Sequence, residues 1–141
     1  MVRMRLVLPF FVALVIPLAS VLGQTERHRD FRNVFEEIQQ GVETCNVSVF
    51  SSYLATQVQV NLKSEESGYF SANHAYYILE KYFKARKVVS FEFTSVSEEG
   101  TTPYATGSAV FNYKGGRESA QVYVSLVQSE GRWVIAEINI Y

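Results

Sequence analysis

Cysteine, histidine and surplus charge are all scarce in this chain, and each scarcity removes a class of chemistry. A single cysteine, Cys45, in 141 residues excludes an internal disulfide and any paired-cysteine metal or redox motif. The two histidines, His28 and His74, lie far apart with no ligand-spaced cysteine or carboxylate around them. No metal site is expected, therefore, and no cofactor. There is no Ser-His-Asp order and no glycine-rich phosphate loop. Thirteen basic and fourteen acidic residues give a net charge of −1 with no basic stripe, which argues against nucleic acid as a partner.

What is present begins with a leader-like layout. Arg3 and Arg5 form a short basic head, residues 6–22 are apolar apart from Ser20, and small or permitted residues precede Gln24. This predicts a secretory signal peptide over residues 1–23 and hence an exported protein, periplasmic or secreted. The apolar run contains Pro9 and Pro17 and falls short of the ~20 residues of a membrane span. Membrane contact is expected only if that segment stays uncleaved. No cysteine follows the run to carry a lipid, and there is no twin-arginine pair.

Residues 24–29 read as a flexible polar lead-in, and residues 30–141 as one domain, long enough to bury a core without staples. From Asp30, a plausible N-cap, Phe31, Val34, Phe35 and Ile38 follow helical spacing, with Gly41 as the stop. A short second helix starts at Asn46 with Val47, Phe50 and Leu54 on one side. Val58, Val60 and Leu62 alternate as a strand, and Tyr69-Phe70 return beside it after a polar turn. Ser71 caps a third helix with Ala75, Ile78, Leu79, Tyr82 and Phe83 on its apolar stripe. Lys81, Lys84, Arg86 and Lys87 crowd its end, where cations complement the helix dipole.

Four strands complete the chain, over 87–97, 104–113, 120–127 and 133–141. A turn centred on Gly115-Gly116 pairs Phe111 with Ala120 and Ala109 with Val122. A three-residue loop over 129–131 pairs Leu126 with Val134 and Val124 with Ala136. A two-residue loop there would oppose Val124 and Glu137, and the hydrophobic pattern rejects it. A longer turn over 98–102 brings Phe93 opposite Gly107, Phe91 opposite Ala109 and Val89 opposite Phe111. One face is then wholly apolar, while Glu92 and Glu137 point away from it. The expected fold is α+β: a curved antiparallel sheet, made of a four-strand meander plus a short N-terminal hairpin, packed against three helices.

The element order, with Ile38-Gln39-Gln40-Gly41, Val58-Gln59-Val60-Asn61-Leu62, Tyr104-Ala105-Thr106-Gly107 and the stretches 50–53, 71–83 and 133–140, resembles the nuclear transport factor two-like superfamily. Within it the chain is similar to an uncharacterised family of exported Bacteroidota proteins, with 42–45 as a small insertion. The resemblance implies a cone-like fold closed by helices, a domain of unknown function, and dimerisation through the outer sheet face. Catalytic members of the superfamily use acids, bases or phenols directed into the cone, and the family supplies no residue role to carry over.

With both strand carboxylates facing outward, no catalytic residue is assigned. A pocket at the mouth of the cone would be lined by Tyr53, Tyr82 and Phe83 and would suit a small apolar ligand. His74, near the N-cap, reads as a solvated side chain. On the outer face the registers gather Tyr104, Tyr123, Val127, Trp133 and Ile135 into a patch suited to a homodimer or another protein partner. The leading expectation is an exported, non-catalytic binding domain. The alternatives are an isomerase- or lyase-type enzyme with helix- or loop-borne polar groups, and a structural envelope-associated module.

Overall fold

Apolar residues at positions 31, 34, 35, 38 and 42 are all buried, and this stripe seats the first helix, α1 (Ala19–Glu43), on the sheet. The computed structural model describes residues 19–98 and 102–141, with side chains from residue 31 onward. The predicted signal is therefore mostly outside the described residues. The helix begins before Asp30, which lies inside it and is not its cap, and the expected lead-in 24–29 is helical. Nor does Gly41 stop the helix. A Cβ there would lie 2.9 Å from the Asn46 carbonyl oxygen and against the Phe50 ring, so glycine permits close packing within the helix.

The helix ends two residues later. Asn46 N–H donates to the Gly41 carbonyl at 2.7 Å and Cys45 N–H to that of Val42 at 3.1 Å, with Cys45 left-handed at φ 53°. This is a Schellman arrangement with cysteine in the position usually held by glycine. The expected second helix is instead two single 3-10 turns, Val47–Val49 and Ser51–Tyr53. The remaining elements are β1 (Leu54–Leu62), β2 (Ser67–Ser71), α2 (Ala72–Ala85), β3 (Lys87–Ser97), β4 (Tyr104–Tyr113), β5 (Gly116–Ser129) and β6 (Arg132–Ile140). Ser71 caps α2 as expected, its hydroxyl accepting from His74 N–H at 3.2 Å. Among the described residues no helix is long and apolar enough to cross a membrane.

The six strands form one sheet in the order β2-β1-β6-β5-β4-β3. It is mixed, not wholly antiparallel, because β1 and β6 run parallel. The hairpin docks through β1, whose Val58, Val60 and Leu62 are buried, and leaves the short β2 at the edge. The three reversals of the meander bring β6 back in the direction of β1.

Within the meander the apolar face forms as expected, by different turns. Lys114 and Gly115, at φ 49° and 78°, are the central turn residues. Phe111 therefore opposes Glu118 and Ala109 opposes Ala120. The slip is two residues, so every side chain keeps its face. Between β5 and β6 the loop is the two-residue Glu130-Gly131, the one the pattern had rejected. A bulge at Ala136 reconciles the two: Leu126 pairs with Ile135, Ser125 with Glu137 and Val124 with Ile138. Val89 is likewise the extra residue of a bulge in β3, and Val88 takes its expected place opposite Phe111. Phe91 opposite Ala109 and Phe93 opposite Gly107 stand as read.

Candidate functional site

One side of α2 and the turn joining β1 to β2 leave a cavity of about 230 Å³ between them. Its apolar wall comes from Leu62, Ile78 and Tyr82, and its polar rim from Glu65, Glu66, His74 and Lys81, with Arg86 at one end. Phase explains the placement. Arg86 follows Tyr82 by four residues and so continues the buried stripe, whereas Lys84 lies off it and pairs with Glu80 at 2.8 Å.

Arg86 is only 3% exposed. Its guanidinium carbon lies 4.3 Å from the centre of the Tyr82 ring and 4.0 Å from that of Tyr113. Carboxylates approach from two elements: Glu65 Oε1 is 3.4 Å from Nη1, and Glu118 Oε2 is 3.8 Å from Nε. Two aromatic faces and two acids offset the cost of taking this cation out of water. The Tyr82 hydroxyl is buried without a hydrogen-bond partner among the described residues. Burial pushes its pKa up to about 12 against the opposing pull of Arg86, so it stays a neutral donor.

Of the expected ligand residues only Tyr82 lines this cavity. Phe83 is core, its ring 5.4 Å from Tyr82 and 6.4 Å from Phe111. Tyr53 is half-buried in the second 3-10 turn and does not line the cavity. By sequence Arg86 groups with the lysines as a helix-end cation. Its spacing from Leu79 and Tyr82 was the signal that separates it from them.

The outer face also departs from expectation. Tyr104 and Tyr123 do meet there, ring centres 5.5 Å apart, and Val127 opposes Val134 beside them. Trp133 and Ile135 are on the other side. Ile135 is fully buried in the core opposite Leu126, and Trp133 packs edge-on against Phe31 of α1 at 6.0 Å. The bulge at Ala136 is the cause, since one extra residue reverses the facing of everything before it in β6. In their place the outer face carries a polar chain. Asn61 Nδ2 donates to Asn139 Oδ1, and Asn139 Nδ2 to Glu137 Oε1, each at 2.6 Å. Tyr123 is held above the ordinary phenol range by burial first and by the Glu137 carboxylate second. Glu92 is exposed opposite Ser108, so both strand carboxylates point away from the helices as expected.

Solved structures share this architecture at low identity. A protein from Bacteroides uniformis described as DUF4783 family aligns with a TM-score of 0.67 at 17% identity, covering 74% of this chain and 93% of that one. Another of that description, from Bacteroides ovatus, gives 0.65 at 15% identity over 74% and 90%. An NTF-2 like protein of unknown function from Shewanella oneidensis gives 0.57 at 7% identity over 81% and 98%. These likenesses fix the fold, an α+β domain of the nuclear transport factor two-like kind. Among curated proteins none matches. The profile of the family called Domain of unknown function DUF4783 matches residues 35–141, and the chain belongs to that family.

Proposed function

We propose that this is an exported, non-catalytic domain that holds a small amphipathic molecule between α2 and the β1–β2 turn, at the mouth of a cone-like sheet. The observation that carries the reading is the cavity of about 230 Å³ with an apolar wall and a buried arginine at its end. Its volume is below the ~300–1,000 Å³ of drug-sized pockets, which points to a small occupant. Export rests on the basic, apolar, small-residue order of residues 1–23. Cleavage there would leave the core-facing part of α1, residues 31–42, intact.

The arrangement supports binding over catalysis. His74 is the ionisable ring nearest to a general base on the cavity rim, and it is exposed, edge-on to Phe70. It precedes Tyr82 by two turns of helix, about 12 Å along the axis. His74 and Tyr82, so separated, do not converge on one reacting atom, and the rim carboxylate Glu65 is engaged with Arg86.

Native mass spectrometry of protein purified from its source tests the reading. Wild type should carry a small non-covalent mass, and Ile78→Trp, which fills the cavity, should lose it. Equal retention by both would place the molecule elsewhere, and no retained mass together with no uptake of an apolar probe would defeat the reading.

The pair Tyr104 and Tyr123 on the outer face supports a second contact, a homodimer or a protein partner seated on the uncovered side of the sheet. That surface is independent of the cavity, and the two readings are compatible.

A further inference from the structure

The polar end of the cavity is chemically incomplete. Arg86 is fixed between two tyrosine rings, yet its nearest carboxylate oxygens stand at 3.4 and 3.8 Å. A charge-assisted pair normally closes to ~2.7–2.9 Å. Among the described residues Arg86 Nε makes no hydrogen bond, nor does the Tyr82 hydroxyl, although both atoms are buried. Buried donors in folded proteins are almost always satisfied. Nε is turned toward Glu118 of β5, which does not line the cavity, so the edge left for an acceptor from the cavity is the Nη1 side that Glu65 holds loosely.

Glu65 shows what kind of acceptor. It sits on the turn between β1 and β2, its side chain 38% exposed, and it reaches Arg86 from the solvent side at the longer end of hydrogen-bond range. Glu118 approaches the same guanidinium from β5. Resting on the cavity reading above, we infer that the occupant carries a carboxylate which replaces Glu65 on Arg86, its apolar body lying along Leu62, Ile78 and the Tyr82 ring. A planar guanidinium accepts a carboxylate in a two-point fork, which a lysine at this position would not offer. Displaced Glu65 turns to solvent but stays on its turn, so a monocarboxylate adds a single negative charge beside Glu65, Glu66 and Glu118, where a phosphate dianion would add two. Glu65 thus acts as a displaceable stand-in.

Octanoate and 1-octanol, which share a chain and differ in head group, separate this inference from the cavity reading. Each is titrated into the whole protein by calorimetry while the Arg86 Nε–H resonance is followed by NMR. Octanoate should bind about tenfold tighter than octanol and shift that resonance. Glu65→Gln, a substitution on an exposed turn that leaves Arg86 and Tyr82 in place, should strengthen octanoate several-fold and leave octanol unchanged. Equal binding of the two probes, or an octanoate affinity indifferent to Glu65→Gln, overturns the carboxylate inference and leaves the cavity standing. Binding of neither probe overturns both.

Discussion

Arg86 lies face-on to Tyr113, 4.0 Å from its ring centre, and so ties the end of α2 to the end of β4. The opposite face of the guanidinium is covered by Tyr82, and its edges meet acids from the β1–β2 turn and from β5. One side chain therefore joins four elements through a shape that only a flat cation has. Arg86→Lys keeps the charge and loses the stacking, and should cost about 2 kcal/mol. Urea unfolding followed by far-UV circular dichroism reads this as a lower midpoint at unchanged slope. A wild-type midpoint would mean the two rings do not clamp the group.

Gly107 answers to Glu92 in a similar way, by closeness. A Cβ on Gly107 would fall on the Glu92 carbonyl oxygen, a backbone atom of the paired strand that cannot swing aside. The next residue pairs mark a bulge at Thr94, so the ladder is already irregular beside this contact. Gly107→Ala should lose about 3 kcal/mol, toward the upper end of overpacking costs. Ala105→Gly, in the same strand, removes a methyl and creates no clash, and should lose less.

Much of this architecture was legible because side-chain facing survives errors of two residues. The turn at Lys114-Gly115 slips the β4–β5 register by two, and no residue changes face. Single-residue bulges are different, since they reverse facing and leave no mark in a hydrophobic pattern. Ala136 did this to Trp133 and Ile135, turning an apparent surface patch into core. Arg86 was hidden by composition: among Lys81, Lys84 and Lys87 it looked like a solvated cation. Glu65 and Glu118, far apart in sequence, come to it only through the fold.

Cys45 holds a conformation that suits glycine, at φ 53°, and its Sγ accepts the Val88 N–H at 3.4 Å. Two terms oppose each other there, strain against a weak hydrogen bond. Comparing Cys45→Gly with Cys45→Ala isolates the first, because both lose the sulfur. Glycine should be the more stable by about 1 kcal/mol, the left-handed cost that alanine retains. Thermal melts of the two variants decide it. Equal melting temperatures would mean the Schellman end relaxes around alanine.

Tyr82 gives the fold an alkaline limit. Its phenol is raised from 10.0 to about 12 by burial, so the folded state holds the proton more tightly than the unfolded chain. The stability this supplies is complete below pH 10 and is lost as pH rises from 10 through about 12. Tyr82→Phe removes a buried hydroxyl without a partner, and should raise stability by about 1 kcal/mol at neutral pH while flattening that alkaline decline. The same substitution should weaken any occupant of the cavity that accepts from the phenol, a familiar opposition between stability and a binding site. Denaturant midpoints at pH 7 and pH 11 test both parts. A variant less stable than wild type at pH 7 would mean the hydroxyl is satisfied after all.

Tyr123 offers the cleaner test of the outer face, now that Trp133 is known to pack on Phe31. A specific dimer needs roughly 1,200–2,000 Å² of total buried area, a large share of an uncovered sheet this size. Tyr123 sits near its middle, stacked with Tyr104 and beside the chain Glu137, Asn139 and Asn61. A second carboxylate at that point would repel Glu137 and its copy across a twofold contact. Wild type should sediment as a dimer and Tyr123→Glu as a folded monomer, with near-identical circular dichroism. Trp133→Glu, by contrast, should unfold more readily without a specific effect on mass, because it breaks a contact with α1 and touches no outer surface. If wild type and Tyr123→Glu both sediment as monomers at tens of micromolar, this face does not pair with itself, and an aromatic patch next to hydrogen-bonded amides is left for a different protein to cover.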